Sequence, residues 1–195
     1  MTIFHSWPQE IRLNKPHSLS MKMETIYSDI TLKRIGPQSI PTSSAYYSGR
    51  IGYTFGIIYL NHFNDSKYSF LGDVNLLSRG FVTTSFMGNT ITSTNRYHYI
   101  TFTPAMGYSP LKFLTLSAGP SLNLLVSKET VADGAQSLEV GLMSRASFST
   151  KNLSILVSYF HPLNFFDSMT TQSGSKYSVT DRQWRVGLAY PIRRF

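Results

Sequence analysis

The sequence predicts an all-β fold, an eight-stranded antiparallel transmembrane β-barrel wound as an up-and-down meander. Three observations predict it. Large apolar residues alternate with small or polar ones at period two through most of the chain. The connections between the alternating runs are short and long in turn. The composition pairs 14% aromatic with only 14% charged residues, whereas a soluble domain usually carries about a quarter charged. A wall that meets lipid outside and keeps polar atoms inside needs that balance.

At 195 residues the chain is most economically one domain. No run reaches the roughly 18 apolar residues of a membrane helix. A closed barrel is then the structure that pairs every backbone N–H and C=O within a bilayer. Cysteine is absent, which excludes disulfides, thiolate metal sites and cysteine nucleophiles. The start, Met1 to Pro8, lacks the basic-then-apolar layout of a signal peptide. Since a barrel must be exported, the expectation is a mature or truncated form with an added or internal Met1. The net charge is +8, but the 18 Lys and Arg are scattered, adjacent only at Lys33-Arg34 and Arg193-Arg194. Nucleic acid is not the expected partner. Anionic lipid headgroups and lipopolysaccharide phosphates are.

The first strand is expected to begin near Leu19 and run over Met21 to Arg34, although Lys22, Glu24 and Arg34 share a face with Ile26, Ile30 and Leu32. Residues 48 to 61 set Ile51, Tyr53, Phe55, Ile57 and Tyr59 against Ser48, Arg50, Gly52, Thr54 and Gly56. Residues 68 to 82 set Phe70, Gly72, Val74 and Leu76 against Asp73, Asn75 and Arg79, with Leu71 and Leu77 as exceptions. In 97 to 107, Ile100, Phe102, Pro104 and Met106 oppose Tyr99, Thr101, Thr103 and Ala105. In 112 to 126, Leu114, Leu116, Ala118, Leu122, Leu124 and Val126 oppose Thr115, Ser117, Gly119, Ser121 and Asn123. In 138 to 148, Leu138, Val140, Leu142 and Phe148 oppose Glu139, Gly141, Arg145 and Ser147. In 153 to 161, Leu153, Ile155, Val157 and Tyr159 oppose Ser154 and Ser158. The last strand sets Trp184, Val186, Leu188 and Tyr190 against Arg185, Gly187 and Ala189.

Short turns are expected near Asn64-Asp65-Ser66, Tyr108-Ser109-Pro110 and Lys151-Asn152, about every 45 residues. Longer polar loops are expected at 36–46, 86–95, 128–136 and 163–181, on the opposite side. Residues 1–18 are expected to form an irregular periplasmic tail and 19–195 the barrel. Aromatics gather near the short turns (Tyr59, Phe63, Tyr68, Phe70, Tyr108, Phe113, Phe148) and toward the other ends (Tyr46, Tyr47, Phe81, Tyr97, Trp184), as two interfacial girdles would.

These motifs resemble the small outer-membrane barrels of the PorT-like class of Bacteroidota, related in shape to OmpX-type barrels. The resemblance is carried by Tyr68 to Gly80, Leu114 to Leu122, Leu153 to Tyr159 and the terminal strand, so it covers about 68 to 195. Asp73 and Ala118-Gly119-Pro120 are its most specific points. It implies type IX secretion or barrel-assembly complexes as hosts, by analogy of fold alone. One departure is Pro191-Ile192-Arg193-Arg194, which interrupts the alternation before Phe195. A proline cannot donate to the ladder, so the last strand is expected to stop near Tyr190.

Parity assigns a polar network in the lumen to Arg50, Asp73, Arg79, Glu139, Arg145 and Arg185, and eight strands leave just enough room for such side chains. It assigns Ile51, Tyr53, Phe55, Ile57, Val74, Leu116, Leu122, Val140, Leu142, Ile155, Val157, Trp184, Val186 and Leu188 to lipid. The five histidines show no metal-ligand spacing, and neither cofactor nor metal is expected. The expected function is non-enzymatic, a structural or interaction subunit of a larger envelope complex in a Gram-negative outer membrane, with both termini periplasmic. Other envelope proteins are the expected partners, through the lipid-facing strands, the tail 1–18 and the loop 163–181. Two alternatives stand beside it. His98, His161 and Asp167 would serve a lipid A deacylase or acyltransferase, and a lipocalin-like soluble barrel would show the opposite parity, apolar inward.

Overall fold

The computed structural model describes residues 17–35, 45–63, 66–87, 89–129, 136–164, 167–170 and 176–194. Most of the expected tail, the centres of the loops at 36–44, 130–135 and 171–175, Asp65 and Phe195 lie outside the described residues. So do the side chains of Tyr46, Tyr47 and Asp167.

Ten β segments follow one another: β1 (His17–Ile35), β2 (Ala45–Gly49), β3 (Gly52–His62), β4 (Tyr68–Met87), β5 (Asn89–Leu111), β6 (Leu114–Glu129), β7 (Leu138–Ser149), β8 (Ser154–Pro162), β9 (Asp167–Thr170) and β10 (Lys176–Arg194). The pairing is antiparallel throughout and runs β1–β3–β4–β5–β6–β7–β8–β10 around the wall, and β1 pairs with β10 to close it. Segments β2 and β3 both lie along β4 and form one stave. Segments β8 and β9 both lie along β10 and form another. The ten segments therefore make eight staves of a closed barrel.

The period-two pattern makes this wall because alternate side chains point to opposite faces. Along β4, Ser69, Leu71, Asp73, Asn75, Leu77, Arg79 and Phe81 are all buried, whereas Val74 and Leu76 are exposed. Leu71 and Leu77, the exceptions to the polar parity, belong to two apolar layers of the interior. One layer, toward the short turns, is Ile58, Leu71, Ala105, Leu156 and Ala189. The other, toward the far end, is Ile26, Leu77, Phe81, Tyr97, Tyr99 and Val179. Gly141 is needed beside this packing, because the Phe160 ring occupies the place its Cβ would take.

Four expectations are corrected. First, Arg50 does not enter the lumen; it is exposed. Gly49 pairs with Phe81 and Tyr53 with Ser78, so β2–β3 advances four residues while β4 advances three. That extra residue is a β-bulge. It turns both Arg50 and Ile51 outward, and the Arg50 N–H donates to the Gly80 carbonyl at 3.0 Å. Second, Lys22, Glu24, Ile26 and Ser28 of β1 line the interior, and Met21, Met23 and Tyr27 face out. The mixed face is the inner face, since the lumen accepts charged and apolar layers alike.

Third, the 86–95 segment is strand on both sides of residue 88. β4 and β5 stay paired from Tyr68↔Tyr108 to Met87↔Asn89. Its Thr-rich run, Thr90 to Thr94, reads as loop by polarity but suits a pleated sheet through its β-branched side chains. The 163–181 segment is likewise partly strand, because it contains β9 and the start of β10. Removing it would cut into the wall. Fourth, β10 does not stop at Tyr190. Leu19 pairs with Arg193 and Ser20 with Pro191, which leaves Ile192 as an extra residue in a bulge. The bulge breaks the ladder where proline has no N–H to give.

Candidate functional site

The chemistry-bearing residues lie inside the barrel, in two layers. The layer nearer the turns is built on Asp73 of β4. Lys22 of β1 donates to Asp73 Oδ2 at 2.7 Å and to Glu24 Oε2 at 2.6 Å. Arg145 of β7 donates to the same Asp73 oxygen through Nη2, and through Nε to Ser158 Oγ of β8 at 3.0 Å. The Ser158 hydroxyl in turn donates a hydrogen bond to Glu24 Oε1 at 3.0 Å. One oxygen thus holds two cations, and four staves are tied across the lumen.

The other layer is built on Arg79 of β4. Its guanidinium forks, with Nη1 donating to Asp181 of β10 at 3.0 Å and Nη2 to Glu139 of β7 at 2.9 Å. Asn123 of β6 donates to Glu139 at 2.6 Å. Ser28 and Gln183 donate to Asp181 at 3.1 and 3.0 Å. The Gln183 carbonyl oxygen accepts from Arg185 Nε and Nη2 at 3.1 and 2.7 Å. Both guanidinium groups lie over rings, Arg79 at 4.7 Å from the Tyr99 centroid and Arg185 at 5.6 Å from that of Phe160.

Five of the six residues assigned to the lumen, Asp73, Arg79, Glu139, Arg145 and Arg185, are therefore buried together, and Arg50 is not. Sequence reasoning missed Lys22, Glu24 and Asp181. The first two lay on a strand face taken for a poor alternation, and the third lay inside a stretch read as loop. With them the interior balances: Lys22, Arg79, Arg145 and Arg185 against Glu24, Asp73, Glu139 and Asp181, all buried. Balance is what a low-dielectric lumen requires, since an uncompensated buried charge is costly. Among the described residues two charged layers and two apolar layers are stacked across the bore.

The outer wall is the reverse. Ile51, Tyr53, Phe55, Ile57, Val74, Leu116, Leu122, Leu142, Ile155, Trp184, Val186 and Leu188 are exposed, and Val140 and Val157 are half-buried. Phe55 and Leu188 are 48% and 47% exposed while Arg145 is 6% exposed, which is opposite to the polarity of a soluble ligand-binding barrel. His98 and His161 belong to this outer wall. His98 lies 3.9 Å from Glu129, and His161 packs beside Tyr159. They sit on β5 and β8, with β6 and β7 between them, so the fold does not bring them together.

No protein-family description matches the sequence, and no curated protein matches it either. Solved structures do match. The outer membrane protein OprG from Pseudomonas aeruginosa is 10% identical, over 92% of this chain and 97% of OprG, with a TM-score of 0.56. Ail, the attachment invasion locus protein of Yersinia pestis, is 13% identical over 90% of this chain and 97% of Ail, with a TM-score of 0.42. In complex with the heparin analogue sucrose octasulfate, Ail gives 14% identity and a TM-score of 0.41. The likeness to OprG is one of fold, a closed eight-stranded antiparallel barrel.

Proposed function

We propose that this chain is a non-enzymatic outer-membrane barrel that serves as a structural and interaction subunit of a larger envelope complex. The inverted polarity carries the reading. A wall of exposed Ile, Leu, Val, Phe and Tyr around a balanced charged interior is stable where the surroundings are hydrocarbon. The charged and apolar layers laid across the bore speak against a transport pore, and the fold shared with OprG supports the membrane setting. In this reading the barrel is PorT-like, stands in a Gram-negative envelope of the Bacteroidota kind, and keeps both termini with the short turns in the periplasm.

The length of the far-end strands supports the interaction role. A strand needs about 9–11 residues to cross the bilayer, whereas β4 and β5 have 20 and 23. Much of this hairpin stands beyond the membrane and offers a surface to a secretion-type or barrel-assembly-type partner. Shortening it by removing residues 86–91 is expected to leave the unboiled protein migrating as a folded band in detergent gels. The same variant is expected to lose partners captured by cross-linking and mass spectrometry in mild detergent. If those partners persist, the hairpin is not their docking surface.

Polarity is tested directly by Leu188→Arg on the outer wall. A charge facing mid-membrane lipid is expected to cost about 2–4 kcal/mol, read from urea unfolding of the protein folded into vesicles. Recovery of wild-type protein from a soluble fraction without detergent would overturn the membrane assignment.

A further inference from the structure

The exposed charges of the barrel are sorted by end. At the turn end each connection carries one basic residue: Lys67 between β3 and β4, Lys112 between β5 and β6, and Lys151 between β7 and β8. Arg193 at the end of β10 completes the set, beside the start of β1. All four are exposed. Because the three turns and the β1–β10 seam alternate around eight staves, these cations fall at about quarter-turn intervals on the rim. Among the described residues no acid is exposed at this end; Asp65, in the first turn, lies outside them. The exposed acids, Asp29 and Glu129, lie in the far half, with Arg50, Arg96, Lys128 and Arg182.

Directly above the basic rim the outer wall is aromatic. Phe63, Tyr68, Tyr108, Phe113, Phe148 and Tyr190 are 39–61% exposed. An aromatic band at the edge of an apolar wall marks the depth of the headgroups. A lysine just beyond it lays its alkyl stem on the band and sets its ammonium among the headgroups. The rim cations follow directly on that band in the chain, as Lys112 does beside Phe113.

Building on the membrane reading above, we propose that the turn-end rim is a binding collar for anionic phospholipids of the leaflet that meets the turns. Lys67, Lys112, Lys151 and Arg193 each engage a headgroup phosphodiester, and the aromatic band receives the glycerol and upper acyl region. The preference is for a headgroup of net negative charge over a zwitterionic one, because no exposed described acid at this end would repel it. The collar also fixes how deep the barrel sits.

The test uses the full chain folded in detergent and incubated with equal amounts of phosphatidylglycerol and phosphatidylcholine. Native mass spectrometry then counts the lipids retained. Wild type is expected to retain phosphatidylglycerol preferentially, and each single Lys→Gln change at 67, 112 or 151 is expected to lower the ratio by up to about fivefold. The combined K67Q, K112Q, K151Q and R193Q variant is expected to lose the preference, while the far-end variant R50Q, R96Q and K128Q keeps it. A wild type without preference, or a combined variant that retains it, overturns the collar. Loss in the far-end variant instead moves the lipid site to the other rim and overturns the proposal equally. A chain that gives no folded band overturns the membrane reading itself, whereas a folded band without lipid preference overturns the collar alone.

Discussion

The two charged layers of the lumen are mirror images in sign. In the layer nearer the turns the hub is an anion, one Asp73 oxygen shared by Lys22 and Arg145. In the other layer the hub is a cation, Arg79, forked between Glu139 and Asp181. They differ in completeness as well. Within the bonded set of Lys22, Glu24, Asp73, Arg145 and Ser158 only Asp73 Oδ1 lacks a hydrogen bond among the described residues, with Thr54 Oγ1 and Asn75 Oδ1 lacking one beside it, whereas the second set has Glu139 Oε1, Asp181 Oδ1, Asn123 Oδ1 and Arg185 Nη1. The layer sealed beneath by the Ile58 and Leu71 plug is the more saturated. The comparison teaches that the bore is locked most tightly on the turn side and more loosely toward the far end.

The sharpest way to break this contrast is Asp73→Ala, which removes the hub carboxylate and leaves Lys22 and Arg145 to share Glu24. A loss of about 3–5 kcal/mol is expected, seen as an earlier midpoint when the vesicle-inserted barrel is unfolded in urea. A neutral result would mean that the Asp73 hub contributes nothing to closing the wall.

Arg79→Lys probes the other hub with a smaller expected effect. Lysine keeps the charge but cannot present two parallel donors to two carboxylates. Glu139 retains Asn123, and Asp181 retains Ser28 and Gln183 as donors, so a loss of about 1–3 kcal/mol is expected by the same unfolding measurement. An effect as large as that of Asp73→Ala would erase the difference between the layers.

The smallest expected signal is the coupling between them. The hydrogen bonds seen among the described residues do not join the two layers, so Asp73→Asn and Glu139→Gln are expected to add within about 0.5 kcal/mol in a double-mutant cycle. A larger coupling would show one continuous network rather than two.

Much of this arrangement was legible in the residues. The alternation in 97–107, 112–126 and 138–148 assigned inside and outside correctly because those runs keep a strict period of two. The arginines at 79, 145 and 185 and the acids at 73 and 139 stood opposite large apolar neighbours, and parity alone drew them inward. What escaped was of two kinds. The bulge at Arg50-Ile51 shifts the parity by one residue without any composition signal, and the one at Ile192, marked by Pro191, reads in sequence as the end of the strand. The inner face of β1 mixes Lys22 and Glu24 with Ile26, because a narrow lumen stacks charged and apolar layers, so a polar-against-apolar rule finds no contrast there. Asp181 was hidden for a related reason. The staves outrun the membrane, and their polar extensions look like loops when read one residue at a time.

The seam has a last consequence. The first stave of the chain closes against the final one, from Ser18↔Arg194 to Ile35↔Lys176. An interrupted chain that lacks β10 leaves β1 and β8 with bare peptide edges, which hydrocarbon does not tolerate. Assembly is therefore all or none with respect to synthesis. A product that stops short of β10 has no closed form to offer to hydrocarbon.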